Sequence, residues 1–296
     1  MKNNLYSSRN PHRAVILMSG SGSNAEKLLD SLKNCDNTTW KPVAIFTDAP
    51  LKSRAFEIAE KYEVPFIKLD ILEFYRNRGE QKISLSSEKG RIIREEWTNQ
   101  VRKLLEPLNP DFGILAGFVP LSNITADFPC LNIHPGDLTV EEKGKRILVG
   151  LHTIPIENAI IRGFSEIRSS VIIAQSYTGK GGEMDSGPIL GISVPVKIDY
   201  MDKNIQELLE IHRIRPTSRP VGGYKDLLED IAKHNQEILK REGDWTVFPP
   251  AVSDFASGKF KICEKGKLNY LLDGKWIKVK TIIYSQGKAI PVYEQT

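Results

Sequence analysis

Ala14-Val-Ile-Leu-Met18, Ser19-Gly-Ser-Gly-Ser-Asn24 and Ala25-Glu-Lys-Leu-Leu-Asp-Ser-Leu32 follow one another without a break. The first is a short apolar run suited to a strand buried on both faces, the second a glycine loop, and the third carries helical periodicity. Strand, loop and helix in that order bring backbone N–H groups and a helix N-terminus to one point, which favours an anion such as phosphate. The same loop also reads as a tight turn with Ser23 or Asn24 capping the helix.

The pattern continues outward. Pro42 to Thr47 and Val64 to Leu69 read as strands, Lys52 to Tyr62 as a helix, and residues 79–90 as a polar loop. Arg91 to Leu105 repeats apolar side chains at Ile92, Ile93, Trp97, Val101, Leu104 and Leu105, helical spacing that predicts core contacts. Asp111 to Ala116 and Leu131 to Ile133 are further buried strands, Ile154 to Arg162 a helix stopped by Gly163, and Ser169 to Ala174 and Pro188 to Val196 strands. Alternation of this kind predicts a doubly wound α/β fold with a mostly parallel sheet, residues 1–198. Residues 199–244 change character: charged helical segments around Lys203 to Ile211 and Lys225 to Glu242 flank a proline- and glycine-rich stretch, a candidate insertion or lid. Residues 245–296 read as a helix, Pro249 to Gly258, then short strands turning at Asp273-Gly274 and Gln286-Gly287, a small β extension packed on the same domain.

A length of 296 residues allows a substantial core, and 40% hydrophobic with 26% charged residues is ordinary globular composition. A net charge of +4 from 41 basic and 37 acidic residues does not call for nucleic acid and is compatible with an anionic small substrate. Cys35, Cys130 and Cys263 are scattered and odd in number, so neither a disulfide framework nor a zinc cluster follows, and Cys130 reads as a core residue. The first apolar run is too short for a signal peptide or membrane span, which places the protein in the cytoplasm.

Chemistry concentrates in Leu131-Asn-Ile-His-Pro-Gly136 and the later Met184-Asp-Ser-Gly-Pro188. Asn132 and His134 are two apart, so on a strand they leave the same face at its carboxyl end, where open α/β sheets place their sites. With Asp185 brought beside His134, an amide, an imidazole and a carboxylate can stabilise an oxyanion, move a proton and orient the ring, a set suited to acyl transfer to an amine. Taken alone, both stretches are also ordinary turn sequences.

Ala14 to Leu29, Gly113 to Phe118, Leu131 to Pro135, Gly150 to Thr153, Met184 to Leu190 and Trp245 to Leu272, in this order, resemble the folate-dependent formyltransferases. The glycine-serine-asparagine loop resembles the glycinamide ribonucleotide branch. The resemblance implies a Rossmann-like fold and transfer of a formyl group from 10-formyltetrahydrofolate, without a metal, to a phosphorylated amine, with glycinamide ribonucleotide of purine synthesis the first candidate. An amino sugar nucleotide or another amine is the alternative acceptor, and an inactive ligand-binding scaffold the alternative outside catalysis. It makes Asn132, a protonated His134 and Asp185 the catalytic set, and gives Gly22, Ser23 and Asn24 the substrate phosphate and Arg241 and Asp244 the ribose. Phe118, Val119, Pro120, Leu121 and His152, with the loop Gly179 to Gly182, would line the folate pocket. The implied partners are the small substrate and folate, with no nucleic acid or membrane, in a monomer or homodimer. Departures from the family pattern are Val119-Pro120 where an arginine is usual, the charged loop after Pro135, and Ile154 in place of a second histidine.

Overall fold

Alternate residues of the first strand, β1 (His12–Leu17), serve two cores. Ala14 and Ile16 pack with Met18 on one face of the sheet, against Ala25 and Leu28 of α1 (Ser23–Lys33) and Ile58 of α2 (Ala55–Lys61). Val15 and Leu17 pack on the other, against Ile71 and Tyr75 of α3 (Ile71–Arg76) and Ile93, Trp97, Val101 and Leu105 of α4 (Glu88–Leu105). Both faces are covered, which is why the strand reads as an unbroken apolar run. The computed structural model describes residues 10–33, 38–177, 184–220, 222–263 and 267–294. Cys35 and the loop Gly179 to Gly182 lie outside the described residues; Cys130 is buried and Cys263 exposed.

The remaining central strands are β2 (Trp40–Thr47), β3 (Phe66–Lys68), β4 (Phe112–Leu115), β5 (Cys130–His134), β6 (Ser170–Ile173), β7 (Ile189–Ser193), β8 (Thr281–Ser285) and β9 (Lys288–Val292). Their order across the sheet is β9-β8-β7-β6-β5-β4-β1-β2-β3. The run from β3 to β5 is parallel, β6 is antiparallel to both neighbours, and β8 returns parallel to β7 before pairing antiparallel with β9. The mostly parallel, doubly wound expectation holds. The C-terminal residues do more than extend it, because β8 and β9 form one end of the central sheet.

One expectation is corrected. Ile92 and Leu104 are 54% and 40% exposed. The buried stripe of α4 runs through Ile93, Trp97, Val101 and Leu105, each four residues on, and at 100° per residue their immediate neighbours swing out towards solvent. Helix α3, within a stretch too short to show a period, starts on an Asp70 cap that accepts from the Glu73 N–H.

α5 (Ile154–Ile161), α6 (Ile205–Ile214) and α7 (Leu227–Leu239) share a third core that includes Ile156, Leu208, Leu228, Ile231 and Leu239. A π-helical turn, Lys240–Asp244, joins α7 directly to α8 (Trp245–Ala256). Helix α8 begins earlier than its prolines suggest; Pro249 and Pro250 stand inside it. Both hairpin turns form as expected, with positive φ at Asp273 (49°), Gly274 (76°), Gln286 (47°) and Gly287 (74°), the geometry of a type I′ connection. Among the described residues no helix is long and apolar enough to cross a membrane.

Candidate active site

The carboxyl ends of β1, β4 and β5 open onto a cavity of about 260 Å³ lined by Asn24, Phe118, Val119, Asn132, His134, His152, Asp185 and Asp244, among others. Three linked groups tie the strand tips together. Ser19 Oγ donates to Asp48 Oδ1 (2.5 Å) and accepts from the Val119 N–H (2.9 Å), fixing the turn after β4. Burial raises the pKa of Asp48, an acid sequence reasoning treated only as the end of a strand.

His134 is 3% exposed. Its Nε2 lies 2.7 Å from the Leu148 carbonyl oxygen, which can only accept, so the proton of the neutral ring sits on Nε2. Nδ1 then faces Asp185 Oδ2 at 3.7 Å. Burial is the largest influence on the ring and lowers its pKa; Asp185 and the Leu148 carbonyl pull the other way, and Arg146 adds to the lowering. Burial thus favours the neutral form of the ring.

Asp185 sits in a short 3₁₀ turn, Met184–Ser186. Gly187 is required next to it, because a Cβ there would lie 1.8 Å from the Ile173 carbonyl oxygen of β6. Arg146 reaches this turn from the loop after β5 and donates through Nη1 to the Asp185 carbonyl and through Nη2 to that of Gly187 (2.9 Å). Sequence reasoning missed Arg146 and Leu148; the loop carries no period or motif that marks them.

Across the cavity, Asp244 is buried at the end of the π turn. Its Oδ1 accepts from Ser169 Oγ (2.5 Å) and its Oδ2 from Asn24 Nδ2 (2.8 Å). Burial nevertheless raises its pKa to about 6. Because Asp244 Oδ2 accepts, the Asn24 amide is oriented with Oδ1 inward, and that buried oxygen has no hydrogen-bond partner. The first bond of α1 runs from the Glu26 N–H to the Gly22 carbonyl (2.8 Å), so Gly22 is the cap and the N–H groups of residues 23–25 lack intrahelical acceptors. Gly22 holds φ +70°, and a Cβ there would meet Ile58 Cδ1 at 2.3 Å.

Of the residues singled out from sequence, the cavity gathers Asn24, Phe118, Val119, Asn132, His134, His152, Asp185 and Asp244. Gly22, Ser23, Pro120, Leu121 and Arg241 are not among its lining residues; Arg241 is exposed, and the Leu121 carbonyl accepts from Arg94 Nη1 (2.7 Å). His152 takes a left-handed backbone (φ 57°), and its carbonyl accepts from Gln236 Nε2 (3.3 Å). Gln236, Leu239 and Lys240, from the end of α7 and the π turn, complete one wall. Nothing in their local sequence distinguishes them from other residues of an amphipathic helix. Among the described residues no group of three or more His, Cys, Asp or Glu side chains is placed to hold a metal ion.

No protein-family model matches the sequence, and no curated protein matches it. Solved structures do match. The phosphoribosylglycinamide formyltransferase of Coxiella burnetii superimposes with a TM-score of 0.59 at 18% identity, over 93% of this chain and 100% of that one. That of Anaplasma phagocytophilum gives 0.58 at 18% identity, over 92% and 98%. A formyltetrahydrofolate deformylase from Pseudomonas putida gives 0.50 at 14% identity, over 87% of this chain and 69% of the other. The chain thus has the mostly parallel α/β fold of the folate-dependent formyltransferases.

Proposed function

We propose that the protein transfers the formyl group of 10-formyltetrahydrofolate to the amine of a small phosphorylated acceptor, glycinamide ribonucleotide first among the candidates. The observation that carries this reading is the buried His134, its Nε2 committed to the Leu148 carbonyl and its Nδ1 turned towards Asp185, in the cavity that Asn132 also lines. The amine attacks the formyl carbon, forming the new C–N bond, and gives a proton to Nδ1. Asn132 donates to the oxyanion, and Asp185 stabilises the imidazolium as it appears. Collapse breaks the bond from carbon to the folate nitrogen, which takes the proton back from His134; the products are the N-formyl acceptor and tetrahydrofolate. A ring that rests neutral is able to accept that first proton, which a standing imidazolium is not.

The unpaired Asn24 Oδ1 suits a donor of the acceptor molecule, an N–H or O–H, while the free N–H groups at the start of α1 suit its phosphate. Asp244 offers an acceptor for hydroxyl groups beside them. Phe118 and Val119 supply an apolar edge and backbone groups for the pterin. The test follows tetrahydrofolate release from 10-formyltetrahydrofolate and glycinamide ribonucleotide, with His134→Ala as the blank. Turnover that vanishes in the variant is expected. Formate release without any acceptor would replace transfer with hydrolysis, and turnover only with an amino sugar nucleotide would change the acceptor.

A further inference from the structure

Residues 146–148 hold both members of the His134–Asp185 pair. They follow a tight hairpin, Glu141–Glu142 against Lys145–Arg146, whose turn residues Lys143 and Gly144 have φ of 51° and 72°. Arg146 spreads its guanidinium over two backbone carbonyls of the Asp185 turn, and two residues on, the Leu148 carbonyl accepts from His134 Nε2 at 2.7 Å. Among the described residues Arg146 makes no ion pair, although desolvation lowers its pKa. A desolvated cation devoted to main-chain oxygens is expensive if its only task is to tie down a loop.

We propose that the 146–148 segment is a clamp, with Arg146 the positioning residue that sets the Asp185 carboxyl against the His134 ring. The role of that pair in proton transfer rests on the function proposed above; the clamp itself concerns geometry and can be read without substrate. The charged and polar groups acting on His134 are Asp185, Arg146 and the Leu148 carbonyl. Asp185→Asn removes the charge that favours the imidazolium and must lower the His134 pKa further. The size of that drop reports how closely the carboxyl is held.

The experiment is a double-mutant cycle on the full chain, with the His134 pKa read from its imidazole NMR signals. Arg146→Lys keeps the charge and loses the two-pronged contact; Arg146→Gln loses the charge and keeps a donor. Arg162→Met, which breaks an exposed pair with Glu142 on the same hairpin, is the control. In both Arg146 variants the drop caused by Asp185→Asn is expected to shrink to about half or less, and kcat to fall about 10- to 100-fold with KM within about three-fold. Arg162→Met is expected to leave both readings unchanged. A full-sized drop in both Arg146 variants would overturn the clamp, whatever happens to turnover. Absence of formyl transfer in the parent would retire the proposed function instead, and the NMR cycle would still decide on the clamp.

Discussion

Two groups of buried charges lie on either side of His152, and they are treated in opposite ways. Away from the cavity, Arg215 bonds Glu157 (2.5 Å) and both oxygens of Asp226 (2.8 and 2.6 Å), while Arg219 bonds Glu229 (2.5 Å) and lies 3.5 Å from Glu157. Thr153 donates to Glu157, and the Lys225 N–H to Glu229. In the cavity, Asn24 Oδ1 has no partner, burial pulls the His134 pKa down, and Asp244 keeps a raised pKa despite its two donors. Charges that only join α5 to the segment before α7 are fully paired, whereas groups facing the cavity keep unused capacity. Beside an open cavity, such unused capacity is available to a ligand.

The comparison can be broken most forcefully in the paired group. Glu157→Leu leaves two largely buried guanidiniums without their shared partner and should lower unfolding stability by about 3–5 kcal/mol in urea titrations. A loss below about 1 kcal/mol would show that the network is not what holds α5 to α7. In the cavity, Asp185→Asn should reduce kcat by about 100-fold or more while stability stays within about 1 kcal/mol of the parent. Near-normal turnover would remove Asp185 from the reaction.

Asp244 sharpens the contrast through pH. Its folded pKa of about 6 lies above the ordinary 3.8, so the folded state holds a proton that the unfolded chain releases, and stability falls as pH rises through that window. Above it the ionised group costs about 3 kcal/mol. Asp244→Asn accepts one hydrogen bond fewer, so a net gain of about 1–2 kcal/mol is expected at pH 7.5, turning into a loss of about 1 kcal/mol near pH 4. A variant less stable than the parent at both pH values would mean that the carboxyl is as well satisfied as the paired network. The smallest effect belongs to the surface pair Arg213–Glu210, whose side chains are 74% and 67% exposed. Glu210→Ala should change stability by under about 0.5 kcal/mol, and a larger loss would undo the distinction drawn from burial.

Much of this arrangement was legible in the residues. The run from Ala14 to Leu32 announces a strand, glycine loop and helix because each piece has its own local signal, and Asn132 and His134 declare a shared face by their spacing. Asp273-Gly274 and Gln286-Gly287 name their own turns. The rest depends on tertiary contacts. Gln236 and Lys240 look like any polar positions of a charged helix until the end of α7 and the π turn bring them to the cavity wall, and the Leu148 carbonyl acts through a main-chain atom that every residue possesses. Burial, which favours the neutral His134 ring and outweighs the visible carboxylate, is absent from sequence.

The parallel pairing of β8 with β7 has a consequence for the order of events during synthesis. Until residues 281–285 have left the ribosome, β7 is an unpaired edge with Ile189 and Ile192 along it, open to any other strand. The finished chain instead ends its sheet on β9, which carries Lys288 and Pro291, residues that discourage further pairing. Closing this side of the sheet with strands made so long after β7 leaves the nascent protein open to aggregation at the edge that follows the Asp185 turn.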